Sequence, residues 1–531
     1  DLAVAAGPLI MEQNLEEPLP LASQWRRGAS GQLAGAPRAL TELSMVQLLE
    51  LLRRRQLSPV ELVEAHIARA RAVNPAINAL IEPRFEAARA EAQAAAARYA
   101  AADSPEKLDA LPPLLGVPCS IKEFIAVTGM PHTGGMVRLR GQRASRDATV
   151  TQRLRSAGAI VLGATNAPEG GLWLETHNLI YGRTRNPWDG RRTSGGSSGG
   201  EGALVAAGGT VFGIGSDIGG SVRIPAAFCG TVGHKPSMGL CPNTGHFPPA
   251  RPDERYLVIG PLCRRVEDVM PLLQVMAGPD DEDATVHPFQ LGDPAAVALA
   301  QVSVFAIPDS GERRAHPVMR KAVERAAAAL LARGARAGVL DAPDLRHGFW
   351  IWAAAMTEAN PSGYADLLSG GAGIPVLREL LELPFGRSSY VLPSLVTVVA
   401  EAVMRRLPAQ EKKWLARAAQ LAVQLDAQLG EYGVILQPPY SRPAPRHHTP
   451  LLTPFDSGYT GLWSVLGYPV TVVPLGFDEH GLPVAIQVIA RRGNDHLTIA
   501  VAAALEQVFG GWVRAEPSLL PGFAGGAPAS R

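Results

Sequence analysis

Residues 192–223 read RTSGGSSGGEGALVAAGGTVFGIGSDIGGSVR, and this stretch decides what fold the chain can form. Glycine loses more conformational freedom on folding than any other residue, so a dense run of glycines is either a flexible linker or backbone that must approach something closely. A linker would stay polar, but residues 203–207 are apolar and helix-compatible, and residues 210–214 alternate like a buried strand. The glycine clusters therefore predict shaped turns around a helix and a strand.

Each of the two glycine clusters carries a serine, Ser197 in the first and Ser221 in the second. A serine hydroxyl is a weak nucleophile until a neighbouring base removes its proton. Consecutive backbone N–H groups in a glycine-rich turn can bind a developing oxyanion, because no bulky side chain obstructs the approach. The stretch therefore predicts an acyl-transfer site with oxyanion donors at Ile218, Gly219 and Gly220, and the base must come from elsewhere in the chain.

The stretch resembles the amidase signature family, through GGSSGGEGALVAAGG followed by GSDIGGSVRIPAAFCG. Hydrolases of this family use a Ser-cisSer-Lys triad, and the matching lysine lies upstream in GVPCSIKEF, at Lys122. The three fragments agree with the family in order and spacing. The resemblance implies that Ser221 is the nucleophile, that Ser197 relays the proton, and that Lys122 is the base.

Five further residues of the same stretch are expected to support the site, namely Thr193, Ser194, Ser198, Asp217 and Arg223. We expect Arg223 to pin the loop through bidentate hydrogen bonds, since a guanidinium fits a carboxylate or two backbone carbonyls. Ser198 is expected to hold its loop rather than to transfer protons. Thr193 and Ser194 are expected to form hydrogen bonds near the site.

The proposed base must be neutral to accept a proton. Lysine has an ordinary pKa of about 10.4, and burial lowers this value while a neighbouring carboxylate raises it. The sequence therefore predicts a buried Lys122 with no carboxylate beside it. Glu123 would point to the opposite face of an extended segment, whereas Glu201 is the carboxylate that could break this expectation.

Helical and strand patterns alternate along the chain, which predicts an α/β fold with a mixed central sheet between helices. The resemblance implies the same amidase signature fold. Predicted helices cover residues 41–55, 59–73, 83–102, 147–158, 266–277, 316–333 and 494–509, and predicted strands include residues 77–82, 160–165, 302–308 and 433–439, with a strand pair or a strand and turn at 114–127. We expect an arm over residues 1–40, one domain over 41–515 with a helical insertion at 342–430 that lines the substrate pocket, and a tail over 516–531.

Composition excludes several other classes of function. The chain has 531 residues with a formal net charge of +1, which argues against nucleic acid as a partner. Its four cysteines, Cys119, Cys229, Cys241 and Cys263, lack the spacing of a zinc site and are expected as free buried thiols in a reducing cytoplasm. The adjacent pair His447 and His448 has no acidic partner cluster, so we expect no metal and no cofactor. The apolar start LAVAAGPLI is too short to cross a bilayer.

The carboxyl-terminal pieces YTGLWSVLGYPVTVVPLG and GLPVAIQVIA look most like the type-two fatty-acid amide hydrolase branch of the family, over roughly residues 41–515. The amino-terminal membrane segment of those eukaryotic relatives is absent, so we expect no transmembrane segment. The resemblance implies a serine hydrolase that cleaves carboxamide C–N bonds of apolar acyl or aryl substrates. Esters and carbamates present the same carbonyl and stay open as substrates, and a homodimer is left open.

Two alternatives compete with this interpretation. Residues 195–199 satisfy the G-x-S-x-G pattern of α/β-hydrolases, but that fold needs a strand directly before the serine, and NPWDGRRTS reads as a turn. The second alternative is an A-type chain of an amidotransferase, which shares these motifs and would need partner subunits and glutamine. The carboxyl-terminal resemblance favours the hydrolase.

Overall fold

A mixed sheet of eleven strands organises the part of the chain that the structure covers. The structure is a computed structural model, and it describes residues 39–249, 256–288, 290–310, 312–406 and 408–517. The predicted arm at 1–40 and tail at 516–531 lie almost entirely outside these residues. The strands are β1 (Leu80–Pro83), β2 (Pro118–Lys122), β3 (Ile160–Thr165), β4 (His177–Asn178), β5 (Gly182–Arg183), β6 (Arg185–Asn186), β7 (Asp189–Thr193), β8 (Phe212–Asp217), β9 (Val232–Lys235), β10 (Val258–Cys263), β11 (Ser303–Ala306), β12 (Arg336–Ala337), β13 (Gly433–Gln437), β14 (Val470–Phe477) and β15 (Pro483–Ile489).

The helices follow the strands along the chain in the alternation that the sequence predicts. They are α1 (Met45–Arg53), α2 (Pro59–Ile77), α3 (Phe85–Ala101), α4 (Pro105–Asp109), α5 (Thr149–Ser156), α6 (Gly199–Ala206), α7 (Arg223–Cys229), α8 (Val269–Met276), α9 (Pro317–Ala332), α10 (Gly348–Ala359), α11 (Tyr364–Ser369), α12 (Val376–Glu382), α13 (Leu392–Met404), α14 (Pro408–Leu429), α15 (Gly458–Val465) and α16 (Asp495–Phe509). Short 3₁₀ turns include Leu40–Glu42, Val137–Leu139, Val266–Asp268, Pro343–His347, Leu383–Phe385 and Pro454–Ser457.

The strand order is β1-β3-β2-β8-β10-β9-β14-β15-β13-β11-β12. Strands β3, β2 and β8 are parallel to one another, whereas β8, β10, β9, β14, β15 and β13 pair antiparallel in succession. Every residue of β2, β3, β8, β14 and β15 is buried. Because successive side chains point to opposite faces of a sheet, this burial means that both faces are covered. The predicted α/β fold with a mixed central sheet between helices is confirmed.

Helix α2 shows how local sequence sets an element. Ser58 caps it by accepting a hydrogen bond from the Val60 N–H, and the Glu61 side chain returns to the Ser58 N–H. Such a capping box satisfies two backbone donors and contributes about 1 kcal/mol to helix stability. The predicted cap is confirmed, but the helix continues to Ile77, four residues beyond the prediction.

Residues 114–127 contain one strand, β2, followed by a turn, so the second of the two predicted possibilities, a strand and turn, is confirmed. One other local prediction is wrong. The stretch NPWDGRRTS, expected as a turn, contains β7, which pairs with β6 in a two-stranded ribbon outside the main sheet. Apolar spacing does not reveal this ribbon, because a two-stranded ribbon needs no apolar face of its own.

The predicted helical insertion at 342–430 contains α10 to α14, as expected. Helix α10 packs against α15 and α14, which joins the insertion to the sheet region. Among the residues described, every helix falls short of the length and apolarity that a bilayer crossing requires.

Candidate active site

Lys122 is the last residue of β2, and its side chain is fully buried. Its Nζ lies 2.7 Å from Ser197 Oγ and 3.0 Å from Ser216 Oγ. Strands β2 and β8 are parallel neighbours, so their carboxyl ends meet at one edge of the sheet. This pairing brings Lys122, at the end of β2, beside Ser216, near the end of β8.

The surroundings of Lys122 favour the neutral amine. Burial lowers its pKa to about 7, although the more distant carboxylates of Asp217, Glu201 and Glu123 oppose this shift. Among the described residues, none places a carboxylate oxygen within 4.0 Å of Nζ as an ion pair would require. The Nζ atom also lies 4.6 Å from the centre of the Phe124 ring.

The two carboxylates that the sequence singled out both have other partners. Glu201 binds the Ser120 and Thr165 hydroxyls, and burial raises its pKa to about 8. Glu123 accepts hydrogen bonds from the Thr133 hydroxyl and from the backbone N–H groups of the following turn, and burial raises its pKa to about 7. Glu201 is therefore engaged by hydroxyls and leaves Lys122 without an ion-pair partner.

Ser197 lies on the turn between β7 and α6, and the peptide bond between Gly196 and Ser197 is cis. The turn is held from one side by Thr176, whose hydroxyl donates to the Gly195 carbonyl and accepts the Gly199 N–H. A Cβ on Gly196 would lie 2.9 Å from the carbonyl carbon of Leu174, so only glycine fits at that position. The glycines of the first cluster thus serve close backbone packing, as the sequence predicts.

Ser221, the predicted nucleophile, lies between β8 and α7, within residues 216–223, which we call the nucleophile loop after this prediction. The Ser198 N–H donates to the Ser221 carbonyl over 3.1 Å, which holds the two serine-bearing turns side by side. Asp217 and Arg223 clamp the loop from within: the guanidinium donates to both carboxylate oxygens, at 3.0 and 2.8 Å. Both side chains are fully buried.

The Asp217 carboxylate also accepts the backbone N–H groups of Gly220 and Val222, at 2.7 and 3.0 Å. Burial by itself would raise its pKa, but the Arg223 charge and these hydrogen bonds hold the pKa below the ordinary range. Arg223 further donates to the Thr460 carbonyl and the Ser464 hydroxyl of α15. The pair therefore ties the nucleophile loop to a second helix as well as to itself.

The backbone groups of residues 218–220 differ in whether they already have hydrogen-bond partners. The Gly220 N–H is committed to Asp217, which argues against the predicted oxyanion role of this group. The carbonyl of Ile218 accepts a hydrogen bond from Trp352 Nε1 over 3.0 Å, and the carbonyl of Gly219 accepts the Thr460 hydroxyl over 2.6 Å. In the described part of the chain, the N–H groups of Ile218 and Gly219 donate to no other group.

The remaining predicted residues lie around the first turn. Thr193 accepts the Gly195 N–H with its hydroxyl. The carbonyl of Ser194 lies 3.3 Å from Cys229 Sγ, and its own hydroxyl is buried without a partner among the residues described. Ser198 exchanges hydrogen bonds of 3.3 Å with the backbone of Ser216. These contacts fix the backbone of the two turns.

The structure also brings three residues to the site that sequence reasoning missed. They are Ser216, which contacts Lys122; His246, whose Nε2 lies 2.9 Å from Ser216 Oγ; and Trp352, which contacts Ile218. Ser216 stands inside the glycine-rich stretch of residues 192–223, so its position was a usable signal. His246 lies outside that stretch, in residues 234–248, which read HKPSMGLCPNTGHFP. Trp352 lies in the helical insertion, where nothing in the sequence distinguished it from the other tryptophans.

The four cysteines are buried and form no disulfide, as predicted, and burial raises the pKa of each thiol. His447 and His448 contact Glu175 through a ring nitrogen and a backbone N–H. Across the residues that are described, no group of three or more metal-ligating side chains comes together.

A sequence model of the amidase family matches residues 61–499. The chain belongs to the amidase signature family, and it is a serine hydrolase that acts on amides. It is 40% identical over 499 residues to human fatty-acid amide hydrolase 2, covering 90% of this chain and 92% of that protein. It is 32% identical to the A-type chain of the glutamyl-tRNA(Gln) amidotransferase from Roseiflexus castenholzii, covering 88% of this chain and 96% of that protein.

Among solved structures, 6-aminohexanoate cyclic dimer hydrolase superposes with a TM-score of 0.73 at 27% identity, covering 92% of this chain and all of that chain. The predicted resemblance to the amidase signature family and the predicted amidase class are therefore confirmed. The amidase signature fold also removes the α/β-hydrolase alternative, even though a strand does precede Ser197.

Proposed function

We propose that the amidase hydrolyses carboxamides with apolar acyl or aryl groups through Lys122, Ser197 and Ser221. The observation that carries this proposal is the 2.7 Å hydrogen bond between Lys122 Nζ and Ser197 Oγ in a buried setting that favours the neutral amine. A neutral lysine is a competent base near neutral pH, whereas a solvated one is not.

In the proposed reaction, the lone pair of Lys122 accepts the Ser197 proton, while Ser197 Oγ accepts the proton of Ser221. Ser221 Oγ then attacks the carbonyl carbon, and the N–H groups of Ile218 and Gly219 bind the resulting oxyanion. The proton returns through Ser197 to the nitrogen of the breaking C–N bond, so the amine leaves neutral. Water, activated along the same path, hydrolyses the acyl-enzyme and restores Ser221.

The surroundings of the nucleophile loop support an apolar substrate. Trp352 contacts Ile218, its ring neighbours that of Phe349, and Phe349 packs against Phe455 with ring centres 4.9 Å apart. An aromatic wall of this kind favours apolar groups. Esters and carbamates carry the same electrophilic carbonyl, so we include both in the proposed substrate range.

The test is hydrolysis of p-nitroanilides and of the matching p-nitrophenyl esters by the wild type and by Lys122→Ala, Ser197→Ala and Ser221→Ala. We expect Ser221→Ala to abolish labelling by a fluorophosphonate, read by intact mass. We expect Lys122→Ala to lower amide turnover by about 10²- to 10⁴-fold and ester turnover by less, because an amine leaving group needs the returned proton more.

Ser310→Ala is the matched control, since Ser310 is a buried serine whose hydrogen bonds, within the described chain, are to Arg313 and Tyr459. It should label and turn over like the wild type. Labelling that persists in Ser221→Ala, together with full amide turnover in Lys122→Ala, would place the nucleophile elsewhere.

A second candidate is an amidotransferase-like use of glutamine, which the 32% identity to the amidotransferase chain of Roseiflexus castenholzii supports. The two functions separate in one assay. Glutaminase activity with a co-purifying partner favours the second candidate, whereas turnover of apolar anilides by the isolated chain favours the first.

A further inference from the structure

A chain of three hydrogen bonds leads from Lys122 away from Ser197 and Ser221, and the proposed mechanism does not use it. Lys122 Nζ lies 3.0 Å from Ser216 Oγ, Ser216 Oγ lies 2.9 Å from His246 Nε2, and His246 Nδ1 lies 2.8 Å from the Pro248 carbonyl oxygen. All three side chains are buried, with His246 7% exposed.

The donor and the acceptor in each of these hydrogen bonds follow from the bond farthest from Lys122, the one between His246 and Pro248. A carbonyl oxygen can only accept, so His246 Nδ1 carries the hydrogen that it donates to Pro248. Burial, together with the nearby Lys122, lowers the pKa of His246 to about 3, so the imidazole is neutral and Nε2 is an acceptor. The Ser216 hydroxyl therefore donates to His246, and its oxygen is left to accept from Lys122.

A neutral amine has two N–H donors and one lone pair. Because Ser216 Oγ accepts one N–H of Lys122, the lone pair cannot point at Ser216. It is available to Ser197, whose hydroxyl is, among the described residues, the other oxygen within hydrogen-bond distance of Nζ. We propose that His246, acting through Ser216, is a positioning residue that aims the lone pair of Lys122 at Ser197.

His246 is well held for this purpose. The backbone N–H of His246 donates to the Asn243 carbonyl, and the backbone N–H of Phe247 donates to the Phe124 carbonyl. The Phe124 ring meets the imidazole edge-on, with ring centres 5.9 Å apart. Phe124 also lies against Lys122 Nζ. Phe124 therefore contacts both Lys122 and His246, and these contacts fix the orientation of the imidazole.

Without the imidazole, the Ser216 hydroxyl can rotate and donate to Lys122. That bond would occupy the lone pair that has to accept the Ser197 proton. It would also stabilise the neutral amine and so lower the pKa of Lys122 further. Lys122 in such a variant would be neutral over a wider pH range and yet a less effective base. A variant that merely disordered the site would differ, because entry of water raises the pKa of a buried lysine.

The proposal rests on the role of Lys122 proposed above, and its test compares His246→Phe, His246→Gln and Ser216→Ala. We expect His246→Phe to lower kcat for a p-nitroanilide by about 10- to 100-fold with little change in KM. The acid limb of the kcat/KM profile should stay in place or move to lower pH. His246→Gln should recover most of the activity, since its amide can accept from Ser216 and donate to Pro248.

The pH profile also has to account for the other titratable groups that face this chain. Lys122 is flanked by Asp217, Glu201 and Glu123, and His246 is flanked by His132. The flanking groups Asp217, Glu201, Glu123 and His132 stay the same in all the variants, so a shift of the limb reports on Lys122 and its immediate hydrogen bonds.

A double-mutant cycle gives the sharpest test. If His246 acts only through Ser216, then His246→Phe should have no further effect on kcat in a Ser216→Ala background. Additive losses would overturn the proposal, as would an unchanged kcat in His246→Phe or an acid limb that moves to higher pH.

His66→Gln is the matched control, because His66 is another buried imidazole, bonded through Nδ1 to the Leu62 carbonyl in α2. It should keep the wild-type kcat and pH profile, and thermal melts of all variants check folding. Loss of amide turnover in Lys122→Ala with wild-type behaviour of both His246 variants would overturn this inference alone. Failure of the wild type to label with fluorophosphonate would overturn both proposals.

Discussion

The nucleophile loop and the helical insertion are in contact, yet they are built on opposite principles. In the loop, every residue is buried except Ile218, which is half-buried, and a charge pair with no exposure fixes the backbone. In the insertion, Leu377, Leu381 and Phe385 are 80%, 72% and 76% exposed, and its ion pairs are partly solvated. Removing the partner of a buried charge lowers the free energy of unfolding strongly, whereas breaking an exposed ion pair lowers it only slightly.

This difference separates two tasks. In the proposed reaction the loop presents Ser221 and two backbone donors within a few tenths of an ångström, and a buried network provides that rigidity. In the proposed function the insertion accommodates the substrate, and its looser packing lets the sequence change at small cost in folding free energy. The two regions should therefore respond differently to matched substitutions.

The largest expected effect is on stability, from Asp217→Asn. The change leaves the Arg223 guanidinium buried without its counter-charge, so we expect the free energy of unfolding to fall by about 3–5 kcal/mol, with loss of activity. Asp344→Asn is the matched control in the insertion, because Asp344 is 30% exposed and lies 3.6 Å from Arg417. It should cost about 0–1 kcal/mol. Equal losses in urea unfolding of the two variants would refute the contrast.

The next effect is on the pH dependence of the wild type. Because burial lowers the pKa of Lys122 to about 7, and the base must be neutral, kcat/KM should rise with pH, reach half its plateau near pH 7 and fall about tenfold per unit below that. A profile of kcat/KM from pH 5 to 9 measures this. The kcat/KM profile of Asp344→Asn should fall on the acid side at the same pH as that of the wild type. A flat profile across this range would mean that Lys122 is not the base.

A smaller effect is expected where the two regions meet, at Trp352. Its Nε1 donates to the Ile218 carbonyl, and the N–H of the same peptide unit, that of Gly219, points the other way, so Trp352 sets the direction of one proposed oxyanion donor. Trp352→Phe keeps the ring but removes the donor. We expect kcat to fall about tenfold, less than the 10²–10³ that follows outright removal of an oxyanion donor.

Trp350→Phe provides the comparison for that variant, since Trp350 neighbours Phe349 and Phe455 but not the nucleophile loop. It should change KM for an aryl substrate more than kcat. If Trp350→Phe lowers kcat as much as Trp352→Phe does, the contact with Ile218 has no special role.

The smallest effect is expected on the outer face of the insertion. Leu381→Ser and Phe385→Ser remove exposed apolar side chains, so each should change the free energy of unfolding by less than about 0.5 kcal/mol. Chemical unfolding of the purified variants checks this. A loss of several kcal/mol would show that these side chains are covered in solution.

Much of the fold was predictable because it is local. Strand β3 was predicted at its observed bounds, and α9 and α16 within one residue at each end, because each combines a strong apolar period with a cap or a turn residue. The ribbon of β6 and β7 was missed, since a two-stranded ribbon leaves no apolar period in the sequence, and Arg192 of β7 is bridged to Arg446, far along the chain. The strand order could not be derived, because the sheet joins β9 to β14 and β13 to β15 across long stretches of chain.

The sequence by itself determined the family of this protein and the residues of the proposed chemistry: two serines on glycine-rich turns and a lysine in an apolar strand, in the order of the family's motifs. Those features are written in consecutive residues. Only the tertiary structure decided what surrounds them. The commitment of the Gly220 N–H to Asp217, the contact of Trp352 with Ile218 and the chain from Lys122 through Ser216 to His246 all depend on which side chains the packing brings together. Hydrogen bonds act over about 3 Å, and the distance along the chain does not predict which groups come that close.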